Sequence, residues 1–180
     1  MGVAVSTEGL AAHGLRRLAM PVAIVAAEHD GRRSCSTATA MYAALDPVAL
    51  VISLAQRSAT ASLARASGWF SVSLPAADQV EAAIATGRPA KGDDKFAEFG
   101  IPVAEGDERF VVASLADARV AWCCRISHEV AVGDHAVIIG EVVAIRGEPA
   151  DERSALLRHD RRYVGLGEPL STQDQGGYPL

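Results

Sequence analysis

The sequence predicts a mainly β domain, a small antiparallel barrel with peripheral helices. Three observations predict it. Two turn signals, Asp30-Gly31 and Gly133-Asp134, join apolar runs as hairpins. The runs VALVISLA and HAVIIGEVVAIRG are rich in β-branched residues. The helical stretches between the runs are few and short, and they do not alternate with strands as βαβ units would.

The elements follow in order. Residues 6–20 read as a helix capped by Ser6 or Thr7 and ended by Pro21. VAIVAAE is a strand that turns at Asp30-Gly31 into the small, hydroxyl-rich SCSTATAMYAAL, which Asp46-Pro47 breaks. VALVISLA, residues 48–55, is a buried strand by its unbroken apolar run. SATASLARAS is a short helix with Ser58 as cap and Gly68 as stop. WFSVSL alternates and reads as a half-buried strand. AADQVEAAIATG and DDKFAEFG are helical. RFVVASL, ARVAWCCRISHEV and HAVIIGEVVAIRG are strands, which gives six or seven in all. A domain over 1–164 and a glycine-rich arm over 165–180 complete the division.

Composition narrows the function. The chain has 180 residues, 49% hydrophobic and 22% charged, with a net charge of -5. No basic stripe is present for nucleic acid, and aromatic residues make up only 5%. The apolar runs are about half of what a bilayer crossing needs. A cytoplasmic protein is the expectation. Cys35, Cys123 and Cys124 form no CxxC, and adjacent strand cysteines point to opposite faces. Cys124 and His128 share a face if the strand is regular, but no standard metal spacing is present, and no metal is expected. GxGxxG, Walker and GxSxG motifs are absent.

Three stretches can carry chemistry. In SLAQRSATAS a helix starts at Ser58 with no carboxylate in its first turn. Its N–H groups suit an anion, with Arg57, Ser58 and Thr60 as added donors. In CSTATAM small residues let a flat ligand approach the backbone, with Thr37 and Thr39 on one side. In GDH, Gly133-Asp134 make the turn and His135 starts a strand at the rim.

From about Leu18 to Tyr163 the order of these pieces resembles the flavin reductase-like family, the FMN-binding split-barrel proteins. The pieces are TAT-AMYAALDP, QRSATASLARASGWFSVSL, DDKF, GDH-x-VIIGEV and LLRHDRRY. The chain departs from that family at Asp46-Pro47-Val48, where a Pro-Pro pair is common. The resemblance implies an antiparallel split β-barrel and NAD(P)H-dependent reduction of FMN or FAD. It implies NADH or NADPH as donor, a homodimer, and a partner oxygenase that receives the reduced flavin. It places Thr37, Ala38, Thr39 and Ala40 along the ribityl chain and ring edge. Gln56, Arg57, Ser58 and Thr60 fall at the phosphate, His135 beside the nicotinamide, and Tyr163 over the site. A flavin-binding carrier or sensor without turnover is the alternative, and a flavoenzyme acting on an organic substrate is a third.

Overall fold

The computed structural model describes residues 14–148 and 151–167. Strands β1 (Met20–Pro21), β2 (Ala23–His29), β3 (Arg32–Ala38), β4 (Ala40–Leu45) and β5 (Val48–Ala55) come first. Helix α1 (Ala59–Ser67), strand β6 (Trp69–Leu74), a 3-10 turn (Ala77–Gln79) and helices α2 (Val80–Thr86) and α3 (Lys95–Phe99) follow. Then come β7 (Val103–Ala104), β8 (Ser114–Leu115), β9 (Val120–Val132), β10 (His135–Gly147), β11 (Leu156–His159) and β12 (Arg162–Gly165).

Seven strands form one antiparallel sheet in the order β3-β2-β6-β9-β10-β5-β4. The two edge strands, β3 and β4, are consecutive in the chain with only Thr39 between them. A flat sheet would hold its edges far apart, so this sheet must curl until they meet at Thr39. The edges do not pair with each other. The result is a split barrel, open along the seam at residues 37–40.

The inside of the curl is one apolar cluster that includes Val25, Ile52, Phe70, Val72, Cys124 and Ile138. Ala61 and Ala64 of α1 plug one end of it. The other face of β2, through Ile24 and Ala26, with Val22 just before it, packs beneath α2 and α3 with Cys35, Ala83 and Phe96. Both faces of β2 are therefore buried, and its apolar run needs no alternation.

Local signals explain most boundaries. Asp30 and Gly31 both take positive φ, as a two-residue turn of this hand requires. Ser58 caps α1 by accepting from the Ala61 N–H at 3.1 Å, and Gly68 closes it in the left-handed conformation. Asp94 caps α3 through the N–H groups of Phe96 and Ala97.

Four expectations change. The predicted helix over 6–20 lies outside the described residues up to residue 13; Gly14 and Leu15 are helical as expected, but the chain turns at Arg16-Arg17 and Met20 already belongs to β1. RFVVASL is not a strand except at Ser114–Leu115. Its apolar residues are buried as a strap: Phe110 and Val112 pack on Ala121 and Cys123 of β9. Gly165 closes β12 rather than opening an arm, while residues 168–180 lie outside the described residues. A bulge between Ile126 and His128 breaks the face shared by Cys124 and His128. Cys124 is in the core and His128 is exposed.

Candidate functional site

The seam makes the site. A cavity of about 410 Å³ opens there, walled by Thr37, Ala38, Thr39, Ser53, His135 and Tyr163. A second cavity of about 330 Å³ runs from Ser34 and Ser36 of β3 to Arg57, Ser58, Lys91 and Lys95. Edge strand β3 contributes to both. Past Arg33, which bridges to Asp94, its outer edge pairs with no strand among the described residues. Small side chains and an unpaired backbone edge suit a flat, heteroatom-rich ligand lying along β3.

His135 is the first residue of β10, opposite Ala55 of β5 and Val132 of β9. Gly133 takes positive φ in the turn that precedes it. The His135 Nδ1 lies 2.8 Å from an Asp134 carboxylate oxygen. That contact holds the Asp134 carboxyl below its ordinary range. It also directs the other ring nitrogen, Nε2, away from the turn.

Gln56 does not point at the phosphate end. Its side-chain amide donates to the Gly133 carbonyl at 2.8 Å, and its backbone N–H donates to the Asp134 carbonyl at 3.0 Å. Arg65 donates to the Gln56 carbonyl and pairs with Glu129 of β9. The loop that carries Arg57 is thereby clasped to the turn that carries His135.

Thr60 does not reach the surface either. It is fully buried, and its hydroxyl sits 3.1 Å from that of Ser34 and 2.9 Å from that of Ser36. It ties α1 to β3. Thr37 lines the cavity, but its hydroxyl is turned to α2, donating to the Ala83 carbonyl at 2.6 Å beside the Thr86 hydroxyl. Ala40 packs against the core and is absent from the cavity wall. Arg57 is exposed at the mouth of the second cavity, and Ser58 stands beside it. Tyr163 forms a wall of the first cavity, with the Arg158 guanidinium 4.5 Å above its ring centre.

Lys95 and Arg158 were not singled out in the sequence, although DDKF and LLRHDRRY contain them. Lys95 is 6% exposed, lines the second cavity, and donates to the Thr86 carbonyl at 2.7 Å. Burial pushes its ammonium pKa down. The Cys35 thiol, near the same site, is pushed up to about 12 by burial and is inert as a nucleophile at neutral pH.

The second cavity is lined by five cations and by Asp93; Arg32 and Arg33 are paired with carboxylates, and Arg57, Lys91 and Lys95, with the serine hydroxyls at an acid-free helix start, fit a phosphate group. The first cavity, with the small Thr37, Ala38, Thr39 and Ser53 in its wall beside His135 and Tyr163, fits an aromatic ring system.

Residues 15–167 match the family model described as the flavin reductase like domain. The chain is 32% identical over 149 residues to an NADH:riboflavin 5'-phosphate oxidoreductase of Streptomyces pristinaespiralis, covering 81% of this chain and 82% of that one. Among solved structures it is similar to the NADH:FAD oxidoreductase of Streptomyces globisporus in complex with NAD and FAD fragments. The TM-score is 0.81 at 20% identity, over 94% of this chain and all of the other. It is also similar to the styrene monooxygenase flavin reductase of Pseudomonas putida, with TM-score 0.75 and 24% identity, over 88% of this chain and 98% of that one. These two share its fold.

Proposed function

Because this chain belongs to the flavin reductase like domain family, we propose that it uses NADH or NADPH to reduce FMN or FAD and passes the reduced flavin to a partner oxygenase. One observation carries the reading: His135, Thr39 and Tyr163 line one cavity, and a second, cation-rich cavity lies at the neighbouring residues of the same strand, β3. The relative from Streptomyces pristinaespiralis supports NADH, and the reductase of a styrene monooxygenase supports an oxygenase as recipient.

The bound nicotinamide supplies a hydride and the flavin accepts it, so the protein's work is alignment. Thr37, Ala38 and Thr39 give the ring a close backbone floor. Arg57, Ser58 and Lys95 hold the phosphate end. His135 positions the nicotinamide, steadied by Asp134 and by the Gln56 clasp. Tyr163 covers the site.

His135→Ala is expected to keep the fold and flavin affinity and to lower kcat/KM for NADH about tenfold, or about 1.4 kcal/mol of transition-state stabilisation. Stopped-flow reduction of bound flavin measures it. Wild-type kinetics in this variant would make His135 a turn-flanking residue. NADH oxidation by the wild-type protein, with and without added FMN or FAD, tests the function itself. Flavin binding without turnover would assign a carrier or sensor.

The same reading includes a homodimer. Met41, Leu45 and Val48 at the β4–β5 edge, with Val143 and Ile145 on β10, are exposed apolar side chains. Pairing of two chains would cover such residues. Light scattering is expected to give twice the 18.8 kDa chain mass; a monomer at micromolar concentration would count against it.

A further inference from the structure

Among the described residues six of the fifteen arginines form ion pairs with carboxylates: Arg32, Arg33, Arg65, Arg125, Arg146 and Arg153. Of the other nine, five gather at the corner around the β11–β12 hairpin. Arg158, Arg161 and Arg162 lie on it. The Asp160 backbone N–H donates to the Arg16 carbonyl at 2.8 Å, which brings Arg16 and Arg17 to its tip. Among the described residues none of these five arginines forms an ion pair. A protein of net charge -5 thus gathers unmatched cations in one place.

That place adjoins the ring cavity. Arg158 is opposite Met20 in β1 and Tyr163 in β12, and all three side chains line the cavity wall. The guanidinium stacks on Tyr163, which uses its face, and its N–H fork has no hydrogen-bond partner among the described residues. A preoriented, unengaged fork is suited to a phosphate. The hairpin tip is a two-residue turn of the same hand as Asp30-Gly31. Asp160 and Arg161 both take positive φ, with no glycine at either position. For a residue as large as arginine this conformation is unfavourable, and the fold holds it nonetheless.

We propose that Arg158, with the cationic tip of β11–β12, binds the phosphates of the nicotinamide dinucleotide outside the pocket that takes its ring. The proposal rests on the reductase reading above. The five cations also draw an anionic donor toward the cavity, so association weakens as salt rises. The phosphates are either the pyrophosphate, common to both dinucleotides, or the 2′-phosphate that only NADPH carries.

The test compares three hydride donors in steady-state flavin reduction: NADH, NADPH and uncharged N-benzyl-1,4-dihydronicotinamide. Arg158→Gln is expected to lower the ratio of kcat/KM for NADH to that for the uncharged donor about tenfold, mainly through KM. Arg158→Lys should restore part of the ratio, and the salt dependence for NADH should flatten in Arg158→Gln. An equal loss with NADH and NADPH assigns the pyrophosphate; a loss confined to NADPH assigns the 2′-phosphate. A ratio unchanged for both dinucleotides, because all donors lose equally or none loses, overturns the proposal and leaves Arg158 as packing for Tyr163. A wild-type protein inert toward all three donors would instead overturn the reductase reading, and the proposal with it.

Discussion

Gly140→Ala is expected to destabilise the fold by about 1–3 kcal/mol, at the upper end of that range, without touching either cavity. Gly140 sits on β10 at the bulge opposite Ile126. A Cβ there would lie 2.5 Å from the Phe70 Cζ, 2.6 Å from its Cε1 and 2.9 Å from the Cys124 Cβ. Phe70 is wholly buried, in the middle of the barrel cluster, so its ring has nowhere to swing. The backbone conformation at Gly140 is open to any residue; the cost is contact alone. Urea unfolding measures it. Phe70→Leu should recover part of the loss when combined with Gly140→Ala, because the two changes share one space. An unchanged unfolding midpoint in Gly140→Ala would show that the barrel interior yields more than close packing allows.

The glycine was visible in VIIGEV, but its reason was not, since only the register brings Phe70 beneath it. The same division runs through the fold. Local chemistry was legible: the Asp30-Gly31 turn, the Ser58 cap, the Gly68 stop and the apolar run of β5 all stand where residue preferences put them. Burial was legible too, but burial is not pairing. RFVVASL is apolar because Phe110 and Val112 strap the outer face of β9, not because it joins a sheet. The β11–β12 hairpin was missed as structure because its turn, Asp160-Arg161, lacks the glycine that normally announces a left-handed conformation. The bulge near Ser127 turned His128 outward, and no pattern in the sequence signals it.

At the candidate site, the sequence located the right segments better than the right atoms. His135 and the Thr37–Thr39 stretch line one cavity. Gln56 and Thr60, chosen as phosphate donors by position, spend their polar atoms inside the protein: one on the Gly133 carbonyl, the other on Ser34 and Ser36. Partners some 24 to 77 residues away decide such roles, and a local reading cannot see them.

Lys95→Met is expected to weaken FMN binding by about 1.5–3 kcal/mol, or roughly ten- to a hundred-fold. Lys95 is buried, its ammonium donates to one carbonyl, that of Thr86, and it forms no ion pair among the described residues. An isolated ammonium is costly to bury, and burial indeed lowers its pKa. A phosphate in the second cavity supplies the missing counter-charge where solvent screens it little. Arg57 faces the same cavity but is exposed, so Arg57→Ala should cost less, near the low end of about 1–3 kcal/mol. Methionine keeps much of the volume of the lysine stem, which limits repacking. Fluorescence titration with FMN and with riboflavin separates charge from packing. Riboflavin carries no phosphate, so its affinity for Lys95→Met should match that for the wild-type protein. An equal loss for both flavins would mean that Lys95 shapes the cavity through Thr86 and α2, and no loss for either would place the phosphate elsewhere.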